Sequence, residues 1–291
     1  MFYAEAQKGF VVKVTFDALA LRLSRSTILF KKDGIYLRDS DQRKHVLFDV
    51  SYLRANFKVY RCLTDVALSF NVKFLQKLIR NVKKKDSIII RVDKDNPETI
   101  VLAIKSDGNK SVPRVEFIEI SVQREKMKAL PALPDGRYGF PMVIDSSEFQ
   151  KIKKFSAVNV KVITVRMQSN NFIAFLGGSD KVFKNRLEFG ELVPEPEDVG
   201  EDEEVGESGI KGFYEEEFNM NTFNMLVKMA GLGTRMQFYR PRVPKFPLLV
   251  KAQAGDLGTF QVFIKDKEQI EREERFRGDQ EETLVVSKKK K

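Results

Sequence analysis

The chain has no tryptophan, one cysteine and one histidine among its 291 residues. With Cys62 alone, neither an internal disulfide nor a multi-thiolate metal site can form, so a reducing intracellular setting is expected. With His45 alone, a Ser-His-Asp arrangement could be built only around that residue, and no nucleophile elbow lies near it. No apolar run approaches the roughly 18 residues of a membrane span, and the opening MFYAEAQKGF lacks the basic and apolar regions of a secretory leader. The Gly-containing turns at Leu176-Gly177-Gly178 and Gly231-Leu232-Gly233 lack the spacing of a P-loop or dinucleotide fingerprint. The carboxylates from Glu195 to Glu207 are consecutive and do not fix a coordination geometry. No cofactor, no metal and no catalytic residue is expected.

What is present is positive charge. Lys and Arg number 51 against 41 Asp and Glu, for a net charge of +10, although the stretch from Glu195 to Glu217 is strongly acidic. A basic surface points to nucleic acid, while plentiful solubilising lysine is the plain alternative. A hydrophobic content of 42% and this length suit two ordinary domains, each with its own core.

One short phrase recurs three times: an apolar residue, Asn or Asp, then apolar residues four and seven positions later. The copies are Phe70-Asn71 with Leu75 and Leu78, Ile144-Asp145 with Phe149 and Ile152, and Phe218-Asn219 with Phe223 and Leu226. The polar residues at 71, 145 and 219 stand 74 apart, the mark of a duplicated unit. Each copy reads as a strand end, an N-cap and a buried helix face, because Asn and Asp accept from the free N–H groups of a first turn. Arg80, Lys154 and Lys228 match across the three copies, and Lys77 matches Lys151. A weaker fourth helix, Phe10 to Leu23, places Val11, Lys13 and Val14 where Leu75, Lys77 and Leu78 stand, without a convincing N-cap.

Much of the rest alternates with the period of strands. Ser87–Val92 and Thr99–Ile104 form the clearest hairpin; Val160–Met167, Phe172–Leu176, Met236–Tyr239, Phe246–Ala252 and Thr259–Lys265 follow. The predicted fold is α+β: two similar domains with largely antiparallel sheets and few short helices. Ser121 to Arg137, with Leu-Pro-Ala-Leu-Pro, reads as extended linker. Residues 194–212 read as an acidic mobile loop, and the segment after about Asp266 as a charged tail, a frayed helix followed by disorder, ending in Lys288 to Lys291. The expected organisation is an N-terminal domain at 1–120, a connecting loop at 121–137, a C-terminal domain at 138–266 and a tail at 267–291.

In the copy at Asn71, Leu75, Leu78, Ile79 and Val82 are spaced to cover a sheet, while Lys73, Lys77, Arg80 and Lys84 run along the opposite face. One such stripe is ordinarily a solvated helix face; its recurrence at equivalent sites argues for a repeating polyanion. Flexible lysines attract phosphates without reading base edges, and no aromatic residues are expected to interleave as a stacking platform. The surface therefore suits the backbone of duplex DNA, bound without sequence preference and sensitive to salt.

The run from Phe57 to Val92, FKVYRCLTDVALSFNVKFLQKLIRNVKKKDSIIIRV, closely resembles the first domain of the proliferating cell nuclear antigen (PCNA) family of DNA sliding clamps. So do MFYAEAQKGFVVKV, GIYLRDSDQRKHVLF and FPLLVKAQAGDLGTFQVFI. The likeness spans roughly residues 1 to 266, and the long acidic segment and tail fit a divergent or viral member. The resemblance implies a closed homotrimer with the helices lining a hole, so that Lys13, Lys73, Lys77, Arg80, Lys151, Lys154 and Lys228 face DNA. It implies ring closure between edge strands near Val115 to Ile120, with Val115, Phe117 and Ile118, and near Val182 to Phe189, with Val182, Lys184 and Arg186. It further implies a partner-motif pocket of His45, Val46, Phe48, Leu133, Pro134, Tyr138, Pro247, Phe263 and Ile264. Ser40 stands where the family carries a pocket methionine, one residue is inserted before His45, and Lys265-Asp266 replace a small residue and a proline.

The function so implied is a DNA polymerase processivity factor without catalytic activity, working with double-stranded DNA, polymerase, a clamp loader and other replication and repair proteins, in the nucleus or wherever DNA is replicated. The alternatives are a subunit of a heteromeric checkpoint-type clamp and a DNA-modifying enzyme on a clamp-like scaffold.

Overall fold

The computed structural model describes residues 2–106, 114–168, 171–179, 183–192 and 214–276. The first half of the chain supplies β1 (Phe2–Ala6), α1 (Gly9–Leu19), β2 (Arg25–Phe30), β3 (Gly34–Ser40), β4 (Val46–Leu53), β5 (Val59–Cys62), β6 (Val66–Asn71), α2 (Val72–Leu78), β7 (Ser87–Val92), β8 (Thr99–Ser106) and β9 (Arg114–Ser121). A short β10 (Gln123–Glu125) follows. The second half supplies β11 (Met142–Asp145), α3 (Ser146–Phe149), α4 (Lys153–Ala157), β12 (Val162–Gln168), β13 (Phe172–Ser179), β14 (Phe183–Gly190), β15 (Tyr214–Asn219), α5 (Met220–Met229), β16 (Arg235–Tyr239), β17 (Leu248–Ala254) and β18 (Gly258–Ile264). A last helix, α6, covers 267–276.

The strands form three antiparallel sheets, ordered β5-β1-β7-β8-β9, β10-β6-β2-β3-β4-β18-β17-β16-β11 and β14-β13-β12-β15. The fold is thus α+β with few short helices. The order β6-β2-β3-β4 recurs as β15-β12-β13-β14, and β1-β7-β8-β9 recurs as β11-β16-β17-β18. Register repeats with order: Arg25 opposes Asn71 as Val162 opposes Asn219, and Tyr36 opposes Ser51 as Ala174 opposes Glu188. The halves join where β4 pairs with β18, from Gly258 opposite Tyr52 to Ile264 opposite Val46. The equivalents of these two strands, β14 and β9, are the free edges of the other two sheets.

Helices form where the repeated phrase places them, but each copy is finished differently. Asn71 accepts from Phe74 N at 2.8 Å and Asn219 from Asn221 N at 2.9 Å, so both act as N-caps. Asp145 has the extended backbone of an N-cap without the side-chain bond; its carboxylate lies 3.7 Å from Arg235 Nε. The single helix expected after Asp145 is divided, with a 3₁₀ turn at Gln150–Ile152 between α3 and α4. The expected helix at Phe10–Leu23 ends at Leu19, and Lys8 at its N-cap position provides no side-chain bond. The helices lie side by side, α1 between α2 and α5 and α4 against α5. Their apolar faces bury Leu19, Ile79, Phe149, Phe155 and Phe223 against the sheets.

Two expectations about irregular segments change. The linker starts with a strand, because β10 continues the chain from β9 onto the edge of β6, pairing Gln123 with Ser69; from 126 to 139 it has no regular structure. The charged segment after Asp266 begins with the expected helix, but its start is capped and anchored rather than frayed. Asp266 is buried and caps it by accepting from Gln269 N at 2.7 Å, and Gln269 Nε2 donates to Phe246 O at 2.9 Å. The acidic loop at 194–212, Val182 and Lys288 to Lys291 lie outside the described residues.

Candidate nucleic-acid interface and partner groove

Along α2 and the turn that ends it, Val72, Leu75 and Ile79 are buried while Lys73, Lys77 and Arg80 are exposed, the division a 3.6-residue period dictates. Lys154 on α4 and Lys228 on α5 are likewise exposed. None of these five cations has an ion-pair partner among the described residues, which leaves their charge available to an external anion. Lys13 differs: its ammonium lies 2.6 Å from Asp17 Oδ2 and 5.4 Å from the centre of the Phe10 ring. Lys151 pairs with Glu148 at 2.5 Å, in an exposed i,i+3 bridge that water weakens. One expectation about the surface changes: Phe74 is 52% exposed on α2, beside Lys73 in the chain, so an aromatic ring does interrupt the cationic stripe.

On the outer side of the β4–β18 seam, the connecting segment is held at several points. Arg38 Nη1 donates to Pro131 O at 2.6 Å while its Nε meets Asp49 at 2.7 Å. Tyr138 Oη donates to Pro247 O at 2.7 Å, and its ring centre lies 6.1 Å from that of Phe263. Gly136 O accepts from Arg242 N and Val243 N. A Cβ on Gly136 would come within 2.9 Å of the Tyr138 ring and 3.1 Å of Pro241, so this approach requires glycine.

Of the residues expected in this pocket, His45, Leu133, Pro134, Tyr138 and Pro247 are half-buried, and Phe263 is buried next to Tyr138. Val46, Phe48 and Ile264 are buried in the hydrophobic core, so they support the strands without offering surface. The residue on β4 that opposes Phe263 is Leu47, and it is half-buried. Strand alternation could have found it, once the phase of β4 was known. That phase is set by the preceding turn, where Asp41 Oδ1 accepts from His45 N at 2.7 Å and Val46 N at 3.0 Å and Lys44 takes a φ of 59°. Burial holds the His45 imidazole below its ordinary pKa against the opposing pull of Asp41 and Glu274. Glu274 belongs to α6, so the last helix passes close to this end of the groove.

The carboxyl of Glu216 on β15 is pushed up to about 7 by burial, then by Asp266 and Glu268, with Arg272 opposing. The Tyr214 hydroxyl nearby is buried without a hydrogen-bond partner among the described residues.

At the free edges, β9 exposes Val115, Phe117 (69%) and Glu119, and Ile118 packs half-buried against the core. On β14, Lys184 and Arg186 are exposed, Phe183, Leu187 and Phe189 are half-buried against the core, and Arg186 pairs with Glu188.

A repeated layer of short helices on antiparallel sheets, cationic on its open side, is consistent with a clamp domain. Residues 1–126 match the family described as "Proliferating cell nuclear antigen, N-terminal domain". Over that stretch, 126 of its 291 residues, the chain is similar to this family. It is 22% identical over 265 residues to the "Probable DNA polymerase sliding clamp 1" of Paramecium bursaria Chlorella virus 1, covering 91% of this chain and 96% of the relative. It is 24% identical over 225 residues to the "DNA polymerase sliding clamp" of Nitrosopumilus maritimus (strain SCM1), covering 76% and 80%. It is 25% identical over 179 residues to that of Cenarchaeum symbiosum (strain A), covering 62% and 67%.

Proposed function

We propose that this protein is a DNA polymerase processivity factor, a sliding clamp that encircles duplex DNA and tethers replication and repair proteins without catalytic activity of its own. The names of its relatives support the role, and the free cations of α2, α4 and α5 support the DNA-facing side. The observation that carries the assembly is the β4–β18 pairing. The chain joins these strands internally and leaves their equivalents, β14 and β9, open, so a second copy can repeat the same seam head to tail, and a ring forms if the rotation closes. Three copies would supply six such units.

The internal register translates directly. Phe263 corresponds to Glu119 and Leu47 to Lys184, so Glu119 of one copy would oppose Lys184 of the next. In the same register Phe117 would oppose Arg186, and Ile118, Phe183, Leu187 and Phe189 would be covered on the core side. The organisation is then a clamp domain at 1–120, the connecting loop at 121–137, a second clamp domain at 138–266 and a tail. Lys73, Lys77, Arg80, Lys154 and Lys228 contact phosphates, with Lys13 and Lys151 contributing less because each already has a carboxylate partner. The groove of His45, Leu47, Leu133, Pro134, Tyr138, Pro247 and Phe263 receives a hydrophobic motif of polymerase and other partners at the site of replication, and a clamp loader opens the ring. Light scattering of the purified protein tests the assembly: three times the 33.5 kDa chain mass is expected at micromolar concentration. A monomer would favour a heteromeric clamp.

A further inference from the structure

The four helix units are not equal in charge. Where the units of α2, α4 and α5 carry Arg80 (in the turn after α2), Lys154 and Lys228, the equivalent position of α1 is Phe16, and the sole cation of α1 is Lys13. Lys13 is 19% exposed and bound at 2.6 Å to Asp17, itself 16% exposed. The other oxygen of Asp17 accepts from Gln76 Nε2 at 2.7 Å, which fastens the carboxylate between α1 and the end of α2. A part-buried, charge-assisted pair of this kind is screened by salt far less than an exposed one. The helix in the middle of the layer, between α2 and α5, therefore presents no free cation, with exposed lysines to either side.

We propose that Asp17 limits the grip of the helix layer on duplex DNA: it withholds Lys13 from phosphate and keeps the central strip of the DNA-facing surface neutral. This rests on the reading that the helix layer faces DNA. A strip without net charge lowers the number of phosphates neutralised at any instant, which favours sliding over retention at one register.

The test is binding of a labelled linear duplex by anisotropy across a salt series, with thermal melting alongside. Lys77→Gln should weaken binding and flatten the salt slope by about 1. Asp17→Asn keeps an oxygen acceptor for Gln76 and should leave melting unchanged. It should tighten binding several-fold at low salt and steepen the slope by about 0.9, one added phosphate contact. Asp17→Glu should behave as wild type, and adding Lys13→Gln to Asp17→Asn should abolish the gain. If Asp17→Asn melts early, Asp17→Gln carries the same comparison. The proposal is overturned if Lys77→Gln weakens binding while the Asp17 amides leave affinity and slope unchanged, or if their gain survives loss of Lys13. If Lys77→Gln has no effect, the DNA-facing reading itself fails.

Discussion

Phe263 of β18 faces Leu47 of β4 across the seam that joins the two halves of the chain, with the Tyr138 ring 6.1 Å from that of Phe263. The pair brings the connecting segment, the first half and the last strand together on the outer side of the nine-stranded sheet. Leu47 and Leu133 are half-buried, so either can be shortened without opening the core. Leu47→Ala and Leu133→Ala should each weaken binding of a hydrophobic polymerase-derived peptide about tenfold, ~1.4 kcal/mol, while melting stays near wild type. Calorimetric titration measures this, and unchanged affinity in both variants would remove the groove from the account.

In the proposed assembly the same pair sets the register between copies. Its equivalents are Glu119 and Lys184, both exposed and without an ion-pair partner among the described residues. Opposed charges across a strand pair contribute roughly 0.2–1 kcal/mol and like charges oppose by a similar amount. Glu119→Lys should therefore loosen the assembly by up to about thirtyfold at each seam, about 2 kcal/mol, and Lys184→Glu added to it should restore assembly. Analytical ultracentrifugation reads both, and a double variant no better than the single one would refute the register.

The caps make unequal demands. Asn71→Ala and Asn219→Ala each remove an acceptor used by a first-turn N–H and should cost about 1 kcal/mol in denaturant unfolding. Asp145→Ala removes no such bond and should cost a few tenths. Equal losses at all three positions would contradict the observed cap geometry.

Near neutral pH the carboxyl of Glu216 adds its own dependence. Its folded value of about 7 lies above the ordinary 4.5, so the folded chain binds this proton more tightly than the unfolded chain. Stability from this group is full at low pH, falls as pH rises between about 4.5 and 7, and its loss is complete above that window. Burial raises the buried Asp266 in the same sense, whereas His45, held below its ordinary value, acts in the opposite one. The difference between wild type and Glu216→Gln isolates the contribution: the variant should gain melting temperature over wild type as pH rises from about 5 to about 8. A constant difference across that range would contradict it.

Much of this was legible in the sequence where one element decides the outcome. The phrase around Asn71 and Asn219 announces strand, cap and helix because the cap bond spans two or three residues, and SIIIRV followed by TIVLAI announces a hairpin because the turn is local. Long-range partners were not legible. Nothing in the local pattern of β4 says that it meets β18 more than two hundred positions later, and Gln76 holding Asp17 depends on how α1 and α2 pack. The resemblance offered Val46 and Phe48, whereas the Asp41 turn sets the phase of β4 so that these two sit in the core and Leu47 lies on the other face. The helix that opens the charged tail was legible, but its anchoring was not, because the bond from Gln269 to Phe246 O depends on how the tail packs.

The central claim is topological linkage to DNA, and retention on circular duplex tests it most directly. Protein loaded by a clamp loader and ATP onto nicked circular DNA should remain bound at salt that strips ordinary basic proteins, and should be lost when the circle is cut. Equal loss from circular and linear DNA at that salt would contradict encirclement.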